Sequence, residues 1–387
     1  MFIYIAILLL MCFLMVKFDF NKKAVNVTSR KEEKWQYVVV VVLILLAGLR
    51  NRVGGDTINY ESHFVDYPNL WELFRSKSWW EELSQPIWFL INVALKTIWD
   101  DFLIVQFFHA VIVNCLLYRF IRRSTTKEFT VYAVMFCILW WNFNFEILRE
   151  SLCVALFLNG LLCLKQGKVG KYLLWCLPAL GIHYFSFVIV GIVLVFYYIN
   201  NTVSYFVVIL SVLFLLFINT GNLSDWMVMM SLLSGDASEE TMEKYIYGDK
   251  FGTTSLNFFG IVLFLITLVL PVIVAIKHNN GAFMKRMILL FIIIAIFQAK
   301  FPIISRFANY LWPVLIVEAI NYLYAVRIKS IYSLAVLCLL LYNVGHFTIS
   351  FYRPFDSQTG LSYDCRYIPY TSVFQDPNPV RERYYGK

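Results

Sequence analysis

The stretch Leu49-Arg50-Asn51-Arg52-Val53-Gly54-Gly55-Asp56-Thr57-Ile58-Asn59-Tyr60 gathers most of the chemistry-bearing residue types in this chain. It comes directly after the apolar run that ends at Leu46. Two Arg and a Gly-Gly turn can hold an anion through guanidinium forks and free backbone N–H groups. Asp56 adds a carboxylate base beside that cradle, and Tyr60 adds a phenol. The same residues also fit an ordinary turn, with Gly-Gly bending the chain and Asp56 capping the segment after it. Further ionisable groups stand beside apolar runs: Glu146, Arg149 and Glu150; His183 after Pro178 and Gly181; Lys300 and Arg306; His346 and Arg353. Glu146 and Arg149 also suit a helix-end ion pair at i,i+3. Arg306 also suits a headgroup anchor, and His183 a satisfied interfacial histidine.

The elements that position these groups are apolar. The composition is 60% hydrophobic and 15% charged, with a mean hydropathy of +0.67. Soluble domains carry about 25% charged residues, so the chain reads as a polytopic membrane protein. Its net charge of +8 is spread over short loops, which argues against a nucleic-acid partner. No Cys-x-x-Cys pair occurs among the 8 Cys, so neither a disulfide nor a zinc site is expected. The N-terminal apolar run lacks a basic leader and a cleavage site, as an uncleaved first helix does.

A spanning helix needs about 20 apolar residues. Twelve spans are expected, near 2–15, 35–49, 102–118, 129–141, 147–164, 172–182, 184–199, 203–218, 256–276, 287–299, 308–326 and 331–347. The apolar run 87–99 is short and reads as re-entrant. The pair 172–199 contains Pro178 and Gly181 and also suits a broken hairpin. With 87–99 not crossing, alternate connections hold 18 Lys and Arg against four acids, and the rest of the chain holds 15 against 21. The first set is therefore expected to be cytoplasmic. The opposite face then carries the segment 50–85, the acidic segment 219–255, the tail 352–387 and both termini. The whole chain, 1–387, reads as one all-α membrane bundle without a soluble domain.

Several residues have bland readings. Glu318 with Asn321 suggests a polar contact between helices. His109 shows no partner within its own span, and His278 reads as a loop residue. Trp79-Trp80 is the aromatic pair best suited to a sugar or polyprenyl surface, although interfacial belts account for most aromatics.

The chain resembles the EpsG family of exopolysaccharide polymerases, relatives of the O-antigen (Wzy-type) polymerases. The resemblance rests on Leu49-Arg50 with Val53-Gly54-Gly55-Asp56-Thr57-Ile58-Asn59-Tyr60, then Leu148-Arg149-Glu150, His183-Tyr184-Phe185-Ser186, Ser305-Arg306-Phe307 through Tyr310, and Pro369-Tyr370. Glu150 and the second glycine, Gly55, depart from the family pattern. The resemblance implies a GT-C-like integral-membrane glycosyltransferase of the bacterial inner membrane. Its substrates would be oligosaccharide repeats on undecaprenyl diphosphate, joined at the outer leaflet beside membrane lipid and other polysaccharide-assembly proteins. Asp56 is then expected as the acceptor's base with His183 second, and Arg50, Arg52, Tyr60, Arg149 and Arg306 as substrate-binding residues. No metal-ligand spacing and no cofactor motif stands out, although Mg²⁺ carried by a diphosphate is compatible with the set. A lipid-linked oligosaccharide flippase would place its ionisable groups mid-span. A membrane acyltransferase would need a deep His or His-Asp pair.

Overall fold

The computed structural model describes residues 2–20, 30–75, 85–217, 272–273, 277, 281–298, 304–325 and 366–384. The acidic segment 219–255, most of 256–276, 331–347, Trp79-Trp80, His278, Lys300, His346 and Arg353 lie outside them.

The described residues are helical. In order they form α1 (Phe2–Leu14, continued by a π-helical stretch Met15–Phe20), α2 (Arg30–Gly48), α3 (Thr57–Asp66), α4 (Leu70–Arg75) and α5 (Pro86–Ile98). Next come α6 (Phe102–Ser124) and α7 (Glu128–Met135), the latter continued by π stretches Phe136–Trp140 and Asn142–Glu146. After these stand α8 (Leu148–Lys165), α9 (Val169–Ile182), α10 (Phe185–Tyr198), α11 (Asn201–Phe217), α12 (Ala282–Gln298), α13 (Ser305–Ala325) and α14 (Pro379–Tyr384).

The bundle is centred on α8, whose faces are buried nearly all round. That fits its sequence, in which apolar residues are not confined to one stripe. It packs against α6 and α9, and more lightly against α10 and α13. The exposed apolar side chains lie on outer helices, among them Leu174 and Leu177 of α9, Phe187 of α10 and Phe206 of α11. A surface so apolar suits lipid contact. Among the described residues, Phe2–Phe20 and Phe102–Ser124 are long and apolar enough to cross a membrane. Other apolar helices are shorter than the expected twelve spans require, including Val169–Ile182 and Phe185–Tyr198. At 1.5 Å per residue each of these reaches only about 21 Å. They form an antiparallel hairpin with His183 at its apex, tied by a Tyr172 hydroxyl donating to the Val190 carbonyl at 3.0 Å.

The segment 50–85 was expected as a loop, but the structure forms α3 and α4 there. The start of α4 has a legible local cause. Asn69 Oδ1 accepts from Trp71 N and Glu72 N at 3.0 Å, and Glu72 Oε2 accepts from Asn69 N at 2.9 Å. That is a capping box, in which two side chains satisfy the orphan amides of a helix start. Helix α5 begins beside Arg149, where Gln85 Oε1 accepts from it at 2.8 Å. It ends where Lys96 Nζ donates to the Val65 carbonyl at 2.8 Å. Helix α6 then starts at the same end of the bundle, with Gln106 Nε2 donating to Gly48 and Arg50 carbonyls at 3.0 and 2.7 Å. Helix α5 is thus anchored at its start to Arg149 of α8 and at its end to the Val65 carbonyl of α3.

Candidate active site

The site is built on the Gly54-Gly55 turn. Gly54 has φ +115, a conformation that favours glycine, and its N–H donates to the Arg366 carbonyl at 2.9 Å. A Cβ at Gly55 would meet the ends of the Glu146 carboxylate and the Arg366 guanidinium, so a side chain there has to displace the groups that hold the turn. This close approach explains why a second glycine stands here. Glu146 Oε1 accepts from Gly55 N at 2.7 Å and Oε2 from Asp56 N at 3.1 Å. The Tyr367 hydroxyl also donates to Glu146, and Arg366 lies 4.0 Å away. The turn is an anion cradle, and the chain's own carboxylate fills it. Burial pushes the Glu146 carboxyl up, Arg366 opposes that shift, and Asp56 adds to it.

Glu146 therefore does not form the expected helix-end pair with Arg149. An i,i+3 pair needs one continuous helix, and this one is broken. Ile147 at φ −98, ψ 58 ends the π turn, whose last bond runs from Ile147 N to the Asn142 carbonyl at 3.0 Å. The break turns Glu146 toward Gly55 and leaves Arg149 to the other side. Wide π turns commonly redirect side chains at functional sites.

The tail clamps the same turn. Asn51 N donates to Thr371 O at 2.8 Å and Val373 N to Leu49 O at 2.9 Å, around an isolated bridge between Arg50 and Ser372. Arg381, fully buried, donates to Thr371 Oγ1 at 2.9 Å and to the Pro369 carbonyl at 2.6 Å. The Tyr370 hydroxyl reaches Leu46 O at 3.1 Å, and the Tyr4 hydroxyl reaches Tyr367 O at 2.8 Å. The Ile368-Pro369 bond is cis.

The expected site residues separate into two groups. Arg50 is only 1% exposed. It donates to the Ala47 carbonyl and, at 3.0 Å, to the Val53 carbonyl, and it stacks on Phe145 at 5.0 Å. Burial lowers it to about 9, so it stays charged at neutral pH. Arg52, at φ 49, pairs with both Glu61 oxygens at 2.8 and 2.9 Å. These two arginines brace the turn.

The others come together. Asp56 is exposed at the start of α3. Its side chain makes no cap bond there. Tyr60 lies one turn on, and the Asp56 charge reaches it. Burial pushes the Tyr60 phenol up, and Arg149, stacked over its ring at 5.8 Å, opposes that. His183 is buried at the α9–α10 apex, and its Nδ1 has no hydrogen bond among the described residues. Burial lowers His183 to about 3, helped by Arg149 and Arg306. Ser186 fixes the apex by donating to the Ala179 carbonyl at 2.8 Å and the His183 carbonyl at 2.6 Å. Arg306 stacks on Phe185 at 5.3 Å, and its charge also reaches Glu150. Glu150 Oε1 accepts from Asn309 Nδ2 at 2.7 Å.

Gln85, Asn309, Arg366 and Tyr367 join this site without having been expected there. The last two stand in a tail that carries only a Pro-Tyr signal. His109, for which no partner was evident, meets Ser151 Oγ at 2.9 Å on α8. Asn321, expected beside Glu318, bonds Thr125 and the Ser124 carbonyl at 2.6 and 3.1 Å, a polar contact between helices.

At one end of the bundle, then, stand an exposed carboxylate, two arginines whose charges both reach one buried imidazole, and a phenol that both Asp56 and Arg149 reach. An anionic leaving group and a proton acceptor both find partners here. No curated protein matches the chain, and no solved structure does. The EpsG family matches it over residues 34–372, a range that takes in every motif of the site. On that match, the chain belongs to the EpsG family.

Proposed function

We propose that this chain polymerises oligosaccharide repeats carried on undecaprenyl diphosphate, at the outer leaflet of a bacterial inner membrane. Membership in the EpsG family supports an exopolysaccharide-polymerase-like role in general. The observation that carries the finer reading is that Arg149 and Arg306 act on one buried imidazole, with Tyr60 and Asp56 next to Arg149.

A hydroxyl of the incoming repeat attacks the anomeric carbon of the growing chain. The new C–O bond forms as the bond to the diphosphate breaks. The diphosphate leaves as an anion, so it needs electrostatic stabilisation more than a strong acid. Arg149 and Arg306 supply it; Arg50 and Arg52, engaged within the protein, shape the loop. Asp56 takes the hydroxyl proton. A histidine held to about 3 is a weak base, and each unit costs a factor of ten in protonation. His183 therefore suits a hydrogen bond to the substrate through Nδ1. Glu146 is a positioning residue, because it fixes the Asp56 backbone.

The test is the glycan left on undecaprenyl diphosphate when the gene is deleted. Single repeats accessible on the outer leaflet are expected. Repeats trapped on the inner leaflet would contradict the reading and indicate a flippase.

A further inference from the structure

A second cluster of ionisable groups lies at the other end of the bundle and takes no part in the chemistry above. Helices α1, α2 and α7 each reach the Glu146 turn at one end: Tyr4 of α1 bonds Tyr367, α2 leads into Arg50, and α7 leads into Glu146. Their far ends carry Asp19, Glu32 and Glu128, respectively 0%, 4% and 3% exposed. A ligand oxygen of each lies within 4.8 Å of those of the other two. Two opposed oxygens on a cation with bonds of about 2.4 Å stand about that far apart.

Acids in the first turn of a helix favour the dipole, and Glu32 and Glu128 are such acids. That role is served equally well in solvent, and it does not explain why three carboxylates are buried together. Lys127 offsets one charge: its Nζ donates to the Asp19 carbonyl at 2.6 Å, and its charge reaches the Asp19 carboxylate.

Unsatisfied groups around the cluster form an independent observation. Asp19 Oδ2 accepts from Thr130 N and Thr130 Oγ1, both at 2.7 Å, while Oδ1 has no hydrogen bond among the described residues. Gln36 is fully buried, and neither amide atom has a hydrogen bond among the described residues. It stands four residues after Glu32 on the same buried face, and helical side chains lean back toward the N-terminus. Tyr132 stands four residues after Glu128 in the same way, and its buried hydroxyl has no hydrogen bond among the described residues either. The Glu128 charge reaches that hydroxyl. Buried polar atoms are normally satisfied, and a run of exceptions at one place points to a missing ligand.

We infer that Asp19, Glu32 and Glu128 bind one hard divalent cation, with Gln36 and Tyr132 as further oxygen donors. The donor set is all oxygen, which selects Mg²⁺, Ca²⁺ or Mn²⁺ over ions that favour nitrogen or sulfur. The cation would tie the ends of α1, α2 and α7 together. Sequence spacing could not show the site, because residues 19, 32 and 128 come from three separate segments.

The test uses the full chain purified in detergent and stripped with chelator. Mn²⁺ is titrated and its free fraction read by electron paramagnetic resonance. One saturable ion per chain is expected, displaced by Mg²⁺ or Ca²⁺ and bound at least tenfold more weakly by E32Q/E128Q. Absence of saturable binding, or equal binding by the double variant, would overturn the inference. A second measurement needs no variant and stands even if E32Q/E128Q does not fold. Fe²⁺ bound to the wild-type chain, with ascorbate and peroxide, should cut the backbone near residues 19, 32 and 128. Cuts confined to other segments would overturn the assignment. Neither readout involves sugar transfer, so the result is independent of the polymerase proposal.

Discussion

The two arginines of the cluster stand in different surroundings from the two of the loop, and residue type alone does not distinguish them. Arg50 and Arg52 stand in the most specific motif, yet both bond within the protein: Arg50 through Nε and Nη1 to the Val53 and Ala47 carbonyls, and Arg52 to Glu61. Arg149 and Arg306 come from weaker motifs, and the charges of both reach His183. Lys keeps the charge but not the bidentate fork or the stacking plane. Arg149→Lys and Arg306→Lys should each lose most activity while the protein still inserts. Normal polymerisation by both variants would make them headgroup anchors. His183 gives a prediction about pH. Its folded value of about 3 lies below the unfolded value of about 6.5. The stability it contributes is present above about 6.5 and is lost as pH falls toward about 3. His183→Gln should therefore flatten the decline of the melting temperature between about pH 6.5 and 4. An unchanged slope would show that the imidazole charges freely in the folded protein.

Elements set the geometry through their breaks rather than their regular turns. Long apolar helices were readable from the sequence: α2, α6, α8, α12 and α13 all fall where an apolar run stands. The short helices α3 and α4 were not read, because their signals are local caps and not periodicity. The π turn Asn142–Glu146 was not read either, because i→i−5 bonding has no pattern in residue types. That turn decides which way Glu146 faces, so the clamp on Gly55 was hidden with it. The prediction at this scale concerns Gly55. A methyl there meets the Glu146 carboxylate and the Arg366 guanidinium. Overpacking of this kind costs about 1–3 kcal/mol. Gly55→Ala should lower the melting temperature in detergent by several degrees and reduce turnover by displacing Asp56. Gly170, whose added Cβ would meet open space, is the control. Equal behaviour of Gly55→Ala and Gly170→Ala would contradict the clamp.

At the scale of the whole molecule, composition and the EpsG motifs carried the class and the family, while the site's full membership depended on the tail. Arg366 and Tyr367 reach Glu146 across more than two hundred residues of sequence, a pairing that no single-sequence pattern encodes. On the charge asymmetry of the loops, the Asp56 end of the bundle is expected to face outside. Cysteine at position 56 should react with an impermeant maleimide, and cysteine at 122 or 168 should not. Labelling at 122 from outside would mean that the α5 region crosses. The central claim, that Asp56 accepts the proton while the arginines hold the leaving diphosphate, is tested most directly by Asp56→Asn. Asn keeps the size and the hydrogen-bond acceptor, and it caps a helix about as well as Asp, so the loop should survive. Loss of a general base typically lowers the rate by about 10²–10⁴. Purified wild-type and Asp56→Asn chains are reconstituted with lipid-linked repeats and scored for turnover and for donor retained. The account predicts a loss of turnover of that size with donor binding nearly intact, and near wild-type turnover in Asp56→Asn would contradict it.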